Sequence, residues 1–296
     1  MEGPLIKRML GLAAGPHDRR TESGTQPDVT SASVPKYETS PVELSIVMPC
    51  LNEAKTLGQC IDRAHRVLIE HHVSGEIIVG DNGSRDGSRA IARMHGARVA
   101  HITRRGYGAA VMGAIRVARG QYILMGDADG SYDFGYAPRF IDALRAGCVL
   151  VMGSRFKGGI DQGAMPLLHR YLGNPILTGL GRILYAPYLT DFNCGLRAFH
   201  RVSILQLNLS STGMELATEM IIKAILAGLP IREIPIPLHR DGRNRPSHLR
   251  PWRDGLRHLA VLLAYLPQRL TLRMPILSET GPGKPQAGGQ RDSRIS

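Results

Sequence analysis

The chain has 296 residues, 43% of them hydrophobic, enough to bury one substantial core as one large domain or two small ones. Lysine and arginine number 37 against 25 aspartates and glutamates, and the net charge of +12 favours anionic partners: nucleic acid, acidic lipid headgroups or phosphorylated substrates. Four cysteines without Cys-x-x-Cys spacing argue against a disulfide scaffold and for inert thiols in a reduced, cytosolic setting, no apolar run reaches the ~18 residues that span a bilayer, and the broken apolar start around Lys7 and Arg8 does not read as a cleaved secretory leader.

Residues 1–42 mix Gly, Pro, Ser, Thr and charge without periodicity and read as a disordered tail. Leu44 to Pro49 is the first expected strand, with Pro49 at its end, and a helix follows from about Thr56 to Glu70. Asn52 and Glu53 occupy the loop between them, where capping alone accounts for both. Glu76 to Gly80 forms a second strand, and the loop Asp81-Asn-Gly-Ser-Arg-Asp-Gly-Ser88 leads into a helix from about Arg89 to Met94. Asp81 at a strand end suits a ribose hydroxyl or base N–H, while Ser84 and Asp86 also fit ordinary capping. A third strand, about Ala97 to Ile102, precedes Arg104-Arg-Gly-Tyr-Gly108 and a helix from Ala109 to Ala118. Glycines, a helix start and two arginines together suit a diphosphate, with Arg104 and Gly108 as candidates. Val111 stands where a dinucleotide fingerprint needs a small residue, which disfavours nicotinamide.

Gln121 to Met125 is a short apolar run that ends in Gly126-Asp127-Ala-Asp129. Ligands of open α/β sheets gather at the carboxyl ends of strands, and alternate carboxylates on an extended segment can face one hard divalent cation, Mg²⁺ or Mn²⁺. A solvated turn is the alternative reading. A helix from Ala137 to Ala146 and a strand from Cys148 to Gly153 lead to Ser154 and Arg155. The repeated alternation predicts an α/β fold with a mostly parallel central sheet and helices on both faces. Residues 156–190 leave their geometry open. Asp191 and Arg197 then flank a glycine turn, and a helix from about Gly213 to Ala227 places Glu215 and Glu219 one turn apart, as site residues or as a polar face. Ile231 to Leu238 is a last edge strand, with Pro235 and Pro237 limiting further pairing. From Arg240 to Arg273, eight arginines stand against Asp241 and Asp254, so this stretch carries half the net charge. Leu256 to Leu266 inside it is amphipathic and suited to lying in an anionic membrane surface; RNA is the rival partner, but Trp252 and Tyr265 alone make a sparse stacking platform, so nucleic acid is disfavoured. The residues from about Ser278 read as a second disordered tail.

Taken together, Pro49-x-x-Asn52-Glu53, Asp81-x-Gly-Ser84-x-Asp86-Gly, Gly106-x-Gly108, Asp127-x-Asp129 and Asp191-x-x-x-Gly195-x-Arg197 resemble the inverting family 2 glycosyltransferases. More narrowly, over roughly residues 43–270, the chain is similar to the polyprenyl-phosphate (dolichyl-phosphate) sugar synthases. The resemblance implies a GT-A fold over 43–239, a basic membrane-associating segment over 240–273 and tails at 1–42 and 274–296. It implies a nucleotide-diphosphate sugar, GDP-mannose or a UDP-sugar, as donor and a polyprenyl or dolichyl phosphate as acceptor. Pro49, Asn52, Glu53, Asp81, Ser84, Asp86, Arg104, Gly108 and Asp127 would hold the nucleotide, and Asp127 with Asp129 a Mg²⁺ or Mn²⁺ ion. Arg155 would reach phosphate, and Asp191 and Glu219 would lie near the sugar or acceptor. The acceptor phosphate would meet Arg240, Arg243, Ser247 and His248, although histidine here replaces the family's lysine and the spacing is longer. A phosphate monoester, with a second pKa of about 6, is already a nucleophilic anion and needs no strong base. A saccharide hydroxyl would need one, and Asp191 is then the candidate. A sugar nucleotidylyltransferase is disfavoured by Pro49-Cys-Leu-Asn-Glu53 on the first strand, and a non-catalytic membrane adaptor by the full set of carboxylates. The implied location is the cytosolic face of a membrane, peripherally bound.

Overall fold

In the computed structural model the described residues are 42–165, 173–186, 188–242 and 251–271. The expected tails, and Arg243, Ser247 and His248 among the acceptor candidates, lie outside them. Seven strands form one sheet: β1 Leu44–Cys50, β2 Gly75–Asp81, β3 Arg98–His101, β4 Tyr122–Met125, β5 Leu150–Ser154, β6 Arg197–His200 and β7 Ile231–Pro235. Their spatial order is β3-β2-β1-β4-β6-β5-β7. Every pairing is parallel except those of β6, which runs antiparallel between β4 and β5. The expected edge position of β7 holds.

The helices in order are α1 Leu57–Glu70, α2 Ser88–Met94, α3 Tyr107–Val117, α4 Ala137–Arg145, α5 Arg155–Gly158, α6 Asn174–Leu184, α7 Arg201–Gln206, α8 Leu216–Leu226, α9 Pro251–Ala264 and α10 Leu266–Thr271. They cover both faces because the strands alternate between two apolar layers. Ile46, Met48, Ile77, Val79, Leu124 and Val151 face a core shared with α1 and α4. Val47, Ile78, Ile123, Met125, Leu150 and Met152 face a second core shared with α3, α8 and α9. Leu57, Ile61, Ala64 and Leu68 recur at helical spacing, which is why α1 presents one buried stripe.

Two features depart from the sequence expectation. Residues 191–200, read as loop around a glycine turn, supply the reversed strand β6, and α7 follows it. Four residues are too short for a visible period, and the buried Arg197 that opens the strand looks polar on paper. The amphipathic stretch read as lying wholly in a membrane surface is also more than that. Helix α9 starts earlier, packs against α6 and α8, and buries His258, Val261 and Leu262. Among the described residues no helix is long and apolar enough to cross a membrane.

The β1–β4 ladder ends at Val47 and Met125, while β1 continues beside β2 as far as Cys50. Chain segments leave in opposite directions across the sheet at this point, and such a switch point opens a crevice at the strand ends. One side of the crevice is closed by a contact only glycine allows. Gly106 has φ +127°, and a Cβ there would stand 2.1 Å from the Thr212 carbonyl oxygen, the same oxygen that accepts from Ala109 N at 3.1 Å in the first turn of α3. Gly106→Ala is expected to lower stability by about 1–3 kcal/mol. A urea midpoint equal to that of the parent chain would show that the loop before α8 does not rest on α3.

Candidate functional site

A cavity of about 830 Å³ opens at this switch point. Its polar floor is built by the ends of β1 and β4, from Pro49 to Glu53 and from Asp127 to Asp129. Its opposite wall is apolar, with Ile176, Leu177 and Leu180 from α6, Met214 and Met220 near α8, and Leu256 and Leu259 from α9. Arginines 105, 155, 197, 253 and 257 are spaced around it.

Asp127 is partly buried and Asp129 is 5% exposed. Asp127 Oδ1 accepts from the Tyr107 hydroxyl at 2.9 Å, and burial followed by the Asp127 charge holds that phenol well above its ordinary pKa, so it stays a donor. Gly195 passes so close that a Cβ would lie 2.8 Å from Asp127 Oδ2 and 3.0 Å from the Tyr132 ring, which accounts for the glycine of Asp191-x-x-x-Gly195. Asp129 Oδ1 accepts from Ser131 N at 3.0 Å and Ser131 Oγ at 2.6 Å. Its carbonyl accepts from Gly242 N at 2.8 Å, and that of Ser131 from His239 N at 3.0 Å, so the start of the basic segment is docked on the Asp129 turn. Arg240 itself donates to the Gln162 carbonyl, and its side chain is exposed outside the cavity lining.

Sequence-predicted residues divide into two groups. Pro49, Glu53, Asp127, Asp129 and Arg155 line the cavity together. Asn52, Ser84 and Asp86 instead staple the loops after β1 and β2 to each other: Asn52 N donates to Ser84 Oγ, Arg85 N to Asn52 Oδ1, and Ala54 N to Asp86 Oδ2. Burial pushes the Asp86 carboxyl up, but hydrogen bonds from Ser88 and Ala54 outweigh it and hold the group below its ordinary value. Asp81 accepts from the Gly83 and Ser84 amides, and its neighbour Asn82 reaches the cavity. Asn82 Nδ2 donates to the Ile102 and Arg104 carbonyls, and Asn82 Oδ1 accepts from Gly106 N. This places Arg105, not the expected Arg104, on the cavity wall, where it donates to the Asn82 carbonyl. Gly108 lies outside the lining, its missing Cβ facing the Ser211 and Gly213 carbonyls.

Asp191 and Glu219, expected near the sugar or acceptor, are both buried outside the cavity lining. Asp191 is fully buried and accepts four hydrogen bonds: from Arg155 Nε at 2.6 Å, Arg155 Nη2 at 2.8 Å, Arg155 N at 3.1 Å and Asn193 N at 3.1 Å. A carboxylate with its lone pairs so occupied positions the guanidinium and is not placed to take a proton from an incoming hydroxyl. Burial pushes the Arg155 pKa down, yet the Asp191 charge holds it well above the ordinary value. Glu233 supports the pair from behind, accepting from Thr190 N at 2.6 Å and Asp191 N at 2.9 Å and meeting Lys157 at 3.0 Å. Glu219 is also buried; it accepts from Ser210 N at 3.0 Å, Ser211 N at 2.8 Å and the Tyr265 hydroxyl at 3.1 Å, and it anchors the loop that touches Gly106.

Four other contributors escaped the sequence reading as site residues. Tyr107 and Tyr132 are apolar-looking aromatics whose hydroxyls meet Asp127 and the Gly195 amide. Arg197 donates to the carbonyls of Phe192, Cys194 and Ala217, each at 2.7 Å, and burial lowers its pKa. His258 lines the cavity from α9 with Nδ1 2.6 Å from Thr218 Oγ1. All four cysteines are free, and burial pushes each thiol up, Cys60 to about 11 and Cys194 to about 12.

Comparison with known proteins adds four findings. The family model described as glycosyl transferase family 2 matches residues 45–207. The low-salt glycan biosynthesis hexosyltransferase Agl6 of Haloferax volcanii is 40% identical over 226 residues, 76% of this chain and 54% of the relative, so the chain spans about half of that protein. The dolichyl-phosphate hexose transferase of the same organism is 31% identical, over 72% of this chain and 89% of the relative. Among solved structures, glucosyl-3-phosphoglycerate synthase from Mycobacterium tuberculosis, in complex with Mn²⁺, uridine diphosphate and glucosyl-3-phosphoglycerate, superposes with a TM-score of 0.60 at 23% identity, over 76% of this chain and 80% of that one.

The histidine in the cavity wall makes stability depend on pH. Burial first, then the Arg197 charge, lowers His258 from 6.5 to about 4, with Asp254 opposing. The unfolded chain therefore binds this proton between pH 6.5 and 4 and the folded chain does not, so stability falls as pH drops through that window. Glu76, Asp86 and Glu219 are held below their ordinary values and lose their contribution at lower pH, and His200, lowered by burial to about 4, shares the window with His258. Urea midpoints at pH 7 and pH 5 are expected to show a loss of about 1–2 kcal/mol that shrinks in His258→Gln; an equal loss in both proteins would place the effect elsewhere.

Proposed function

The chain belongs to glycosyl transferase family 2 and is a glycosyltransferase, and from that premise we propose that it moves a hexosyl group, with inversion, from a nucleotide-diphosphate sugar to a polyprenyl phosphate. The observation that carries this reading is the division of one cavity into a floor with two carboxylates and an opposite wall of aliphatic side chains, with arginines between. A sugar nucleotide needs the first and a prenyl chain the second. Two relatives whose names refer to a hexosyl transfer, one of them to dolichyl phosphate, support the same choice.

The floor of the cavity offers a divalent cation two carboxylates, Asp127 and Asp129. Among the described residues no three His, Cys, Asp or Glu side chains converge. Asp127 and Asp129 alone are nevertheless an adequate protein share for Mg²⁺ or Mn²⁺, which take one or two carboxylates and complete their shell with water and substrate phosphate. Bound there, the cation would offset the negative charge that grows on the departing diphosphate.

The residues of the chain do the rest. Asp127 is held in place by Tyr107 and by the close passage of Gly195, and Asp129 by the Ser131 turn. In the reaction the bond between the anomeric carbon and the diphosphate oxygen breaks as a phosphate oxygen of the acceptor bonds to that carbon from the opposite side. Arg155, aimed by Asp191, meets phosphate charge in a water-poor site where such a contact is strong. A phosphate monoester arrives as an anion, so the full engagement of Asp191 costs the reaction no base. Arg105 from the loop before α3 and Arg257 from α9 add charge at either side.

The test is transfer of radiolabelled sugar from a panel of nucleotide sugars to polyprenyl phosphate with excess Mn²⁺ or Mg²⁺. Label is expected in the lipid phase with polyprenyl phosphate and not with free prenol. Asp127→Ala and Asp129→Ala are each expected to lower the rate at least about 100-fold while the fold is kept. Label that enters only oligosaccharide, or rates untouched by either substitution, would sink the reading.

A further inference from the structure

Behind the Asp191–Arg155 pair lies a second buried carboxylate that touches neither the cavity nor the reacting groups. Glu233 is 7% exposed on β7, beyond the residues 45–207 that the family model matches, and it does not line the cavity. Four donors converge on it. Thr190 N and Asp191 N reach Oε1 at 2.6 and 2.9 Å, and Thr190 Oγ1 and Lys157 Nζ reach Oε2 at 2.8 and 3.0 Å. A carboxylate accepts four such bonds and an amide does not, so the position is built for a negative charge.

The contacts on Oε2 close into a ring. The Thr190 hydroxyl gives its proton to Glu233, so Ser154 Oγ donates to Thr190 Oγ1 across their 2.7 Å contact, and Ser154 Oγ in turn accepts from Lys157 N at 3.2 Å. Lys157 Nζ then returns to Glu233. Arg155 stands between Ser154 and Lys157, and Asp191 follows Thr190. Both members of the pair are thus fixed through their neighbours: the ring holds the backbone on either side of Arg155, and Glu233 holds the Asp191 amide. The four charged groups pair as Lys157 with Glu233 and Arg155 with Asp191, so each buried carboxylate is compensated. Backbone pairing of Leu150–Ser154 with Ile231–Pro235 already keeps β7 in the sheet. The Glu233 side chain reaches instead for the loop that carries Asp191.

We infer that Glu233 is a positioning residue for transfer. Through the Thr190 and Asp191 amides it sets the direction in which Asp191 aims the Arg155 guanidinium, and Lys157 keeps it in place. The inference rests on the reading of Arg155 as the arginine that meets phosphate charge, and deepens it. A group displaced by about 1 Å from its productive geometry can lose on the order of 100-fold in rate. The loss falls on kcat more than on donor binding, because the charge that Arg155 meets grows as the diphosphate departs.

The experiment is a double-mutant cycle between Glu233→Gln and Arg155→Lys, made in the full chain and run with Mn²⁺. Glutamine keeps the size of the side chain but sets an NH₂ group against the Thr190 hydroxyl and the Lys157 ammonium. Lysine keeps a charge beside Asp191 and removes the planar fork that Asp191 aims. Release of nucleoside diphosphate from the sugar nucleotide, with and without polyprenyl phosphate, gives kcat and donor KM. Glu233→Gln is expected to lower kcat about 10- to 100-fold and to leave donor KM within about twofold of the parent value. In the Arg155→Lys background the same substitution is expected to change kcat by less than about twofold, because nothing is left to aim. Equal factors in both backgrounds, an unchanged kcat, or a loss confined to donor KM would each overturn the assignment. Urea midpoints are read alongside. If Glu233→Gln does not fold, Lys157→Met, at a side chain 37% exposed, takes its place in the cycle with a smaller loss of kcat expected. If release responds to a hydroxyl acceptor and not to polyprenyl phosphate, the lipid-phosphate reading falls, while the same cycle run with that acceptor still decides on Glu233.

Discussion

Asp191 and Arg155 form a buried pair in which each justifies the position of the other. Taking two charges out of water costs several kcal/mol per ion, and their attraction offsets this only when the remaining hydrogen-bonding capacity is also used. Here it is used: Asp191 takes two side-chain and two backbone donors, and the amides around it are held by Glu233. The arrangement links the end of β5, the loop before β6 and the start of β7. Arg155 can therefore present charge to the cavity with almost no freedom to move, which is what electrostatic stabilisation of a transferring group demands. Removing either partner would leave the other charge buried alone, at a cost of about 3–5 kcal/mol.

The same economy governs the opposite rim. Arg197 is buried and, among the described residues, donates to three carbonyls and to no carboxylate, joining the loop before β6 to α8. Glu219 collects the amides of Ser210 and Ser211, and the loop so tethered meets Gly106 and the first turn of α3 through Thr212. Burial pushes the Glu219 carboxyl up, but the Ser211 and Ser210 donors prevail and keep it charged. Charged side chains thus fix the rim, while the polar floor keeps Asp127 and Asp129 beside the open space.

Much of this was legible in the residues themselves. Apolar runs closed by turn formers announced β1, β2, β4 and β5, and the Asp127–Asp129 spacing at a strand end announced the floor of the site, because strand ends in parallel sheets are where loops can gather around a ligand. What stayed hidden depends on facts that spacing does not encode. Arg104 and Arg105 are equivalent on paper; Asn82 decides between them by binding the Arg104 carbonyl. Asp191 reads as a group near the sugar or acceptor, and as a base for a hydroxyl acceptor, until the Arg155 guanidinium is found against it. Glu219 reads as a site residue or as part of a polar face, and β6 is four residues long with an arginine whose burial only tertiary contacts explain. Tyr107 and Tyr132 belong to the site through single hydroxyls, which no hydrophobic pattern marks.

Helix α9 shows why one sequence segment can satisfy two environments. Its charges and apolar residues suggested an element lying wholly at a membrane, yet Val261 and Leu262 belong to the core and His258 to the cavity wall. A helix has room for both because opposite sides are half a turn apart, so the stripe through His258 and Leu262 can be buried while the stripe through Leu256 and Leu263 is exposed. The consequence is mechanical. The element with exposed leucines is also the one that walls the cavity, and α6 beside it lines the cavity through Leu177 and Leu180. An apolar group seated against this wall is kept from solvent, at about 0.8 kcal/mol for each methylene, so the length of the wall sets how long an apolar ligand the cavity can shelter.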